Sequence, residues 1–193
     1  QRAVGTPTQR EPQRAVEWRG PLVADFGIRE YLDFVAKVDG NAWYVANLFG
    51  RYGEERSSSE MAREAKLLAR RLHEEQKQGR PAVIRWELGN ELDRDRYLWR
   101  PEKLGAVAQA VSQAIRSEMP DAKFISASQD WDALKKTQGI DAVTYNRSLA
   151  SLLSGKVAGF SGHHYYDGRP WGPSVAHQIR QHCKNSAALT QEK

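Results

Sequence analysis

The chain has a single cysteine, no long apolar run and no block of one charge, and each lack removes a class of protein. Cys183 alone excludes an internal disulfide framework and a four-cysteine zinc site, and it leaves the redox compartment open. No stretch approaches the roughly 20 consecutive apolar residues needed to span a bilayer, and no positively charged start leads into an apolar signal segment. Because the chain opens on Gln1 rather than Met, it reads as processed or as an excerpt, and the missing leader says nothing about destination. The formal charge of +5 and pI near 9.4 would suggest a nucleic-acid partner if the basic residues clustered. They alternate with acidic ones, as in "MAREAKLLARRLHEEQKQGR". That pattern is a solvated helix face, since phosphate binding needs a localised basic stripe. A nucleic-acid-binding basic domain is therefore only the third reading, resting on net charge.

What is present fits a soluble globular domain: 193 residues, 40% hydrophobic and 27% charged, can bury a substantial core. Residues 1–25 hold Pro7, Pro12 and Pro21 without periodicity and read as an irregular arm. Regular structure is expected over 26–170, and 171–193 reads as a helix-like, truncated segment. Ile28, Tyr31, Leu32 and Val35 fall at helical spacing, and Asp39-Gly40 stops the pattern. "AWYVANLF" reads as a strand rich in aromatic and branched residues. Residues 59–78 form an amphipathic helix, with Ser57, Ser58 or Ser59 as its cap and Gly79 and Pro81 beyond its end. The order then repeats. "AVIRWELGN" is a strand, Pro101 opens a helix to about Met119, "KFISAS" is a strand, 140–153 is a helix and "VAGFSGHHYY" is the last clear strand. Strands alternating with helices predict an α/β fold with a parallel sheet, either doubly wound or part of a (β/α)8 barrel.

The stretch "VIRWELGNEL", residues 83–92, separates these two. Side chains alternate across a strand, which puts Ile84, Trp86 and Leu88 on one face and Arg85, Glu87 and Glu91 on the other. An open parallel sheet is covered by helices on both faces and needs both apolar. A barrel lumen admits polar groups leading to a site at the C-terminal strand ends. The expected fold is a partial (β/α)8 TIM barrel, approximately strands three to six, with Glu91 at its mouth. In the last strand Ser161, His163 and Tyr165 share a parity, so His163 and Tyr165 are expected at the rim with Glu91, an acid/base constellation.

"WELGNE" followed later by "SGHHYYDGR" resembles the clan of retaining glycoside hydrolases with (β/α)8 barrels, in which the fourth strand ends in Asn-Glu and the sixth carries a His-x-Tyr pair. The pair "WELGNE" and "HHYY…GR" is similar to heparanase and related β-glucuronidases, and "GIREYLDFVAKVDGNAWYVANLF" is similar to the α-arabinofuranosidase branch. The resemblance covers roughly residues 27–169. It implies hydrolysis of O-glycosyl bonds in oligo- or polysaccharides, no cofactor, no membrane partner and a secreted or extracytoplasmic setting. It makes Glu91 the general acid/base, has Asn90 hydrogen-bond the sugar 2-hydroxyl, and puts His163 and Tyr165 around the nucleophile. Asn47, ending the earlier strand, would line a subsite. Arg169 would meet a uronic acid carboxylate, and Trp171 or Trp131 would stack on a sugar face.

A retaining mechanism needs a second carboxylate about 5 to 5.5 Å from the acid. The family's nucleophile is a Glu on the seventh strand, and after Tyr166 the sequence offers only Glu192, in no strand context. Glu87, four residues before Glu91 along one strand, would lie roughly 13 Å away. A complete barrel takes about 250 residues. The expectation is a central fragment that is inactive alone, needs the rest of the barrel, and exposes apolar surface at its open edges. The plainer alternatives are a barrel that binds carbohydrate without cleaving it, Glu91 as a turn cap or a partner of Arg94 or Arg96, Glu87 as a structural partner of Arg85 or a neighbouring strand, and His163 as a satisfied buried histidine. His163, His164, His177, His182 and Cys183 match no zinc spacing, so no metal is called for.

Overall fold

Helix α1 (Ile28–Lys37) buries Ile28, Leu32 and Val35, the residues whose spacing marks it in the sequence. In this computed structural model the described residues are 13–14, 21–22, 25–51, 54–94, 97–129, 134–163 and 175–186. The order is β1 (Gln13–Arg14), β2 (Pro21–Leu22), α1, β3 (Ala42–Ala46), β4 (Gly50–Arg51), β5 (Glu54–Glu55), α2 (Ser58–Lys77), β6 (Val83–Leu88), α3 (Pro101–Arg116), β7 (Lys123–Ala127), α4 (Lys135–Gln138), α5 (Ala142–Leu153), β8 (Gly159–Ser161) and α6 (Val175–Ser186). The four strands β3-β6-β7-β8 form one sheet in that order. This is the consecutive order of (β/α) units, with α2 between β3 and β6 and α3 between β6 and β7.

The chain divides into two units, 1–86 with 110–123, and 87–109 with 124–193. In the first, α2 starts at a capping box: Ser57 Oγ accepts from the Glu60 amide, and the Glu60 carboxylate accepts from the Ser57 amide. Its buried line is Met61, Ala65, Ala69 and Leu72. Three of its basic residues are ion-paired, Lys66 and Arg70 with Glu118 and Arg71 with Glu74. Glu75 is fully buried among Arg29, Arg71 and Arg80, which compensate a carboxylate removed from water. Trp86 is fully buried, packs against Tyr44 at 5.4 Å between ring centroids and donates its indole N–H to the Val83 carbonyl.

One short feature of this unit has no sequence signal. A hairpin pairs Gly50 with Glu55 and Arg51 with Glu54. Gly50 has φ 151°, and a Cβ there would overlap the Glu54 carbonyl oxygen, so only glycine fits. Gly50→Ala is expected to cost about 1–3 kcal/mol, read as a lower urea midpoint; an unchanged midpoint would mean that the hairpin does not form.

The expected alternation in β6 holds only at its end. Trp86 and Leu88 are buried, but Ile84 is 38% exposed, and Glu87 is buried on the opposite parity. Both faces are covered at the C-terminal half of the strand, while Val83 at its start is buried and Ile84 and Arg85 are exposed. On the edge strand β3, Trp43 and Val45 share a face and are 43% and 45% exposed. No helix among the described residues is long and apolar enough to cross a membrane.

In the second unit β7 and β8 run parallel, with Ile125 opposite Gly159, Ser126 opposite Phe160 and Ala127 opposite Ser161. Helix α5 is capped by Asp141, whose carboxylate accepts from the Thr144 amide and is thereby held below the usual carboxylate range. Phe124, Leu134, Tyr145, Leu149 and Leu153 are fully buried in this unit.

Candidate functional site

The residues around Glu91 leave strand geometry. Gly89 has φ 81° and Glu91 φ 51°, so the backbone turns twice through the left-handed region directly after β6. Glycine adopts that region freely, whereas a glutamate does so at a cost of order 1–3 kcal/mol, and such positions cluster at functional sites. The turn continues with the Arg94 amide bonded to the Glu91 carbonyl and the Trp99 amide to the Leu92 carbonyl. It returns the buried Arg94 side chain to the carboxylate, with Nη1 3.0 Å from Glu91 Oε1. Of the partners foreseen for Glu91, Arg94 is thus engaged; Arg96 lies outside the described residues.

From the other side comes β8. The Ser128 amide and hydroxyl both donate to the Ser161 carbonyl, which fixes the end of β8 against the residues after β7. Ser161 Oγ donates to Glu87 Oε1. Two residues later His163 places its two ring nitrogens between the two glutamates, Nδ1 3.1 Å from Glu91 Oε1 and Nε2 3.2 Å from Glu87 Oε1. The parity that groups Ser161 with His163 is the parity that reaches the carboxylates.

This geometry corrects one expectation. Glu87 and Glu91 are not separated by four residues of extended strand; one imidazole ring spans the gap between their carboxylates. The reason is the double left-handed turn at 89–91, which ends the strand at Leu88 and folds Glu91 back. Glu87 is engaged by β8, which is two strands away in the sheet and not a neighbour of β6, through Ser161, and by His163 just beyond that strand.

The electrostatics follow. The hydrogen bond to Glu87 is the largest influence on His163; with the bond to Glu91 and both negative charges it raises the imidazole above its ordinary range, against the opposing effect of partial burial. A protonated ring offers an N–H at each nitrogen, one to each carboxylate.

Other expected site residues fall elsewhere. Asn90 is exposed beside Glu91. Asn47 follows β3, and its amide serves its own loop: Nδ2 donates to the Gly50 carbonyl at 2.6 Å, and Oδ1 accepts from the Phe49 and Gly50 amides. Tyr165, Arg169, Trp171, Trp131, His164 and Glu192 lie outside the described residues. Among the described residues no three His, Cys, Asp or Glu side chains group as metal ligands. Ser161 was visible to sequence reasoning only as a parity mate of His163, and Arg94 only as a charge near Glu91.

No protein-family model matches the sequence, and no curated protein matches it. Solved structures do match. AbfB, a family 51 alpha-L-arabinofuranosidase from Bifidobacterium longum, superposes with a TM-score of 0.70 at 13% identity, over 98% of this chain and 38% of that one. The GH51 arabinofuranosidase from Xanthomonas axonopodis pv. citri gives 0.69 at 19% identity, over 99% of this chain and 41% of that one. The chain therefore spans about two fifths of the length of these structures. Its fold is part of a (β/α)8 barrel.

Proposed function

We propose that the chain supplies the acid/base part of a retaining glycoside hydrolase acting on oligo- or polysaccharides. The observation that carries the reading is Glu91, held in a left-handed backbone at the C-terminal end of a barrel strand and facing His163 from two strands away. In this reading Glu91 protonates the leaving oxygen and then activates water, Asn90 holds the sugar 2-hydroxyl, and His163 and Tyr165 are the further catalytic groups. Asn47, Trp131, Arg169 and Trp171 belong to the sugar-binding surface. Glu87 is not the nucleophile, because His163 lies between it and Glu91 and leaves no place for an anomeric carbon between the two carboxylates. The second carboxylate belongs to a strand beyond these residues, so activity is a property of a longer protein.

The structural likeness to arabinofuranosidases and the sequence likeness to β-glucuronidases name two substrate classes. Aryl α-L-arabinofuranosides and aryl β-D-glucuronides, offered to the natural protein, separate them by which phenol is released. Turnover of one class with retained product configuration is the expected result; release of neither, with the protein folded, overturns the reading. A second reading, sugar binding without hydrolysis, is favoured by Arg94 and His163 both occupying Glu91 Oε1. Calorimetric binding of the sugar without turnover would mark it.

A further inference from the structure

His163 meets a carboxylate at each ring nitrogen, and only one of the two belongs to the acid/base residue. We propose that Glu87, His163 and Glu91 form a proton relay, in which Glu87 holds the Nε2–H end of the ring and Nδ1 exchanges a proton with Glu91. The chemical meaning of the relay rests on the reading of Glu91 as general acid/base.

The step balances within the three groups. The Nδ1–H bond breaks and an O–H bond forms on Glu91, turning imidazolium and carboxylate into the neutral Nε2–H tautomer and a carboxylic acid. Glu91 passes that proton to the leaving oxygen, takes one from the attacking water in the second step and returns it to Nδ1, which restores the starting charges. Throughout, Glu87 accepts from Nε2–H, so the ring neither rotates nor switches tautomer. A carboxylate performs the same service for the histidine of a serine-protease triad.

Glu87 is suited to this task. It is 8% exposed, and the Ser161 hydroxyl fixes the same oxygen that accepts from the ring. The charged groups facing His163 among the described residues are Glu87 on β6 and Glu91 in the turn beyond it, while Arg94 acts through Glu91 Oε1. Two acidic partners and one shared cation favour a doubly protonated ring. Glu87 is thus a positioning residue that acts through His163.

The test needs no sugar. Nitrogen-resolved NMR of the natural protein reads each histidine ring, with His163 assigned by the signal that disappears in His163→Asn. Both His163 nitrogens are expected to be protonated at pH 7, with a titration midpoint above the ordinary imidazole range. Glu87→Gln is expected to lower that midpoint while amide dispersion stays native. A wild-type ring that is neutral at pH 7, or a folded Glu87→Gln variant with an unmoved midpoint, overturns the relay. If Glu87→Gln does not fold, the wild-type nitrogens decide alone. Failure of the glycosidase reading would show as no turnover with this titration intact; failure of the relay would show in the titration whatever the turnover.

Discussion

Glu91→Gln is expected to lower the turnover of unactivated glycosides by about 10²- to 10⁴-fold in the natural protein, the usual contribution of a positioned general acid. Glutamine keeps the length of the side chain and an oxygen that accepts from Arg94 and His163, so the turn at 89–94 has no reason to unfold. What disappears is the proton. The loss should therefore depend on the leaving group: alkyl or sugar leaving groups suffer fully, whereas a nitrophenolate, stable without protonation, departs at a rate much closer to wild type. Steady-state kinetics on a series of aryl glycosides measures this as a steeper dependence on leaving-group acidity. An unchanged kcat on oligosaccharide would remove Glu91 from the chemistry, and an equal loss on every substrate would point to misplacement of sugar.

Trp86→Ala carries the largest expected effect on stability, about 3–5 kcal/mol. The side chain is fully buried, stacks at a tilt on Tyr44, and spends its one polar group on the Val83 carbonyl. Truncation removes the ring contacts and leaves a cavity that β6 cannot close without moving. For a chain of this size the loss corresponds to a fall in Tm of about 10 °C. Trp86→Phe keeps most of the volume and the aromatic contact and loses only the N–H, so about 1–2 kcal/mol is expected. Urea denaturation of the three proteins in parallel checks the order. Equal midpoints for Trp86→Ala and wild type would show that β6 is not part of the core.

The sequence displays long-period features well and short ones badly. Helix α2 is legible because 20 residues repeat one apolar line and end in recognisable caps at Ser57 and Gly79. The strand–helix order that makes the sheet parallel is legible for the same reason. Helix α4, four residues of "KKTQ" with nothing buried, has no periodicity to detect. The β4–β5 hairpin is two residues a side, and its need for Gly50 arises from a carbonyl across the turn. In the site, Asn90-Glu91 and His163 stand out by residue type. The closeness of Glu87 to Glu91 does not, because an alternation of two assumes an extended chain, and the chain stops being extended at Gly89. Ile84 fails the same rule for a different reason: alternation gives a face, and whether anything covers that face is a tertiary matter.

The left-handed backbone of Glu91 also says how this protein would respond to artificial evolution. Asparagine or glycine relaxes that conformation, so at position 91 the residue best for folding and the residue with a carboxylate differ. A library sorted for heat resistance alone would lose its glutamate there early, gaining robustness as it discards the acid. On the role proposed for Glu91, breeding a hardier form of this chain requires every round to select for the reaction as well as for survival.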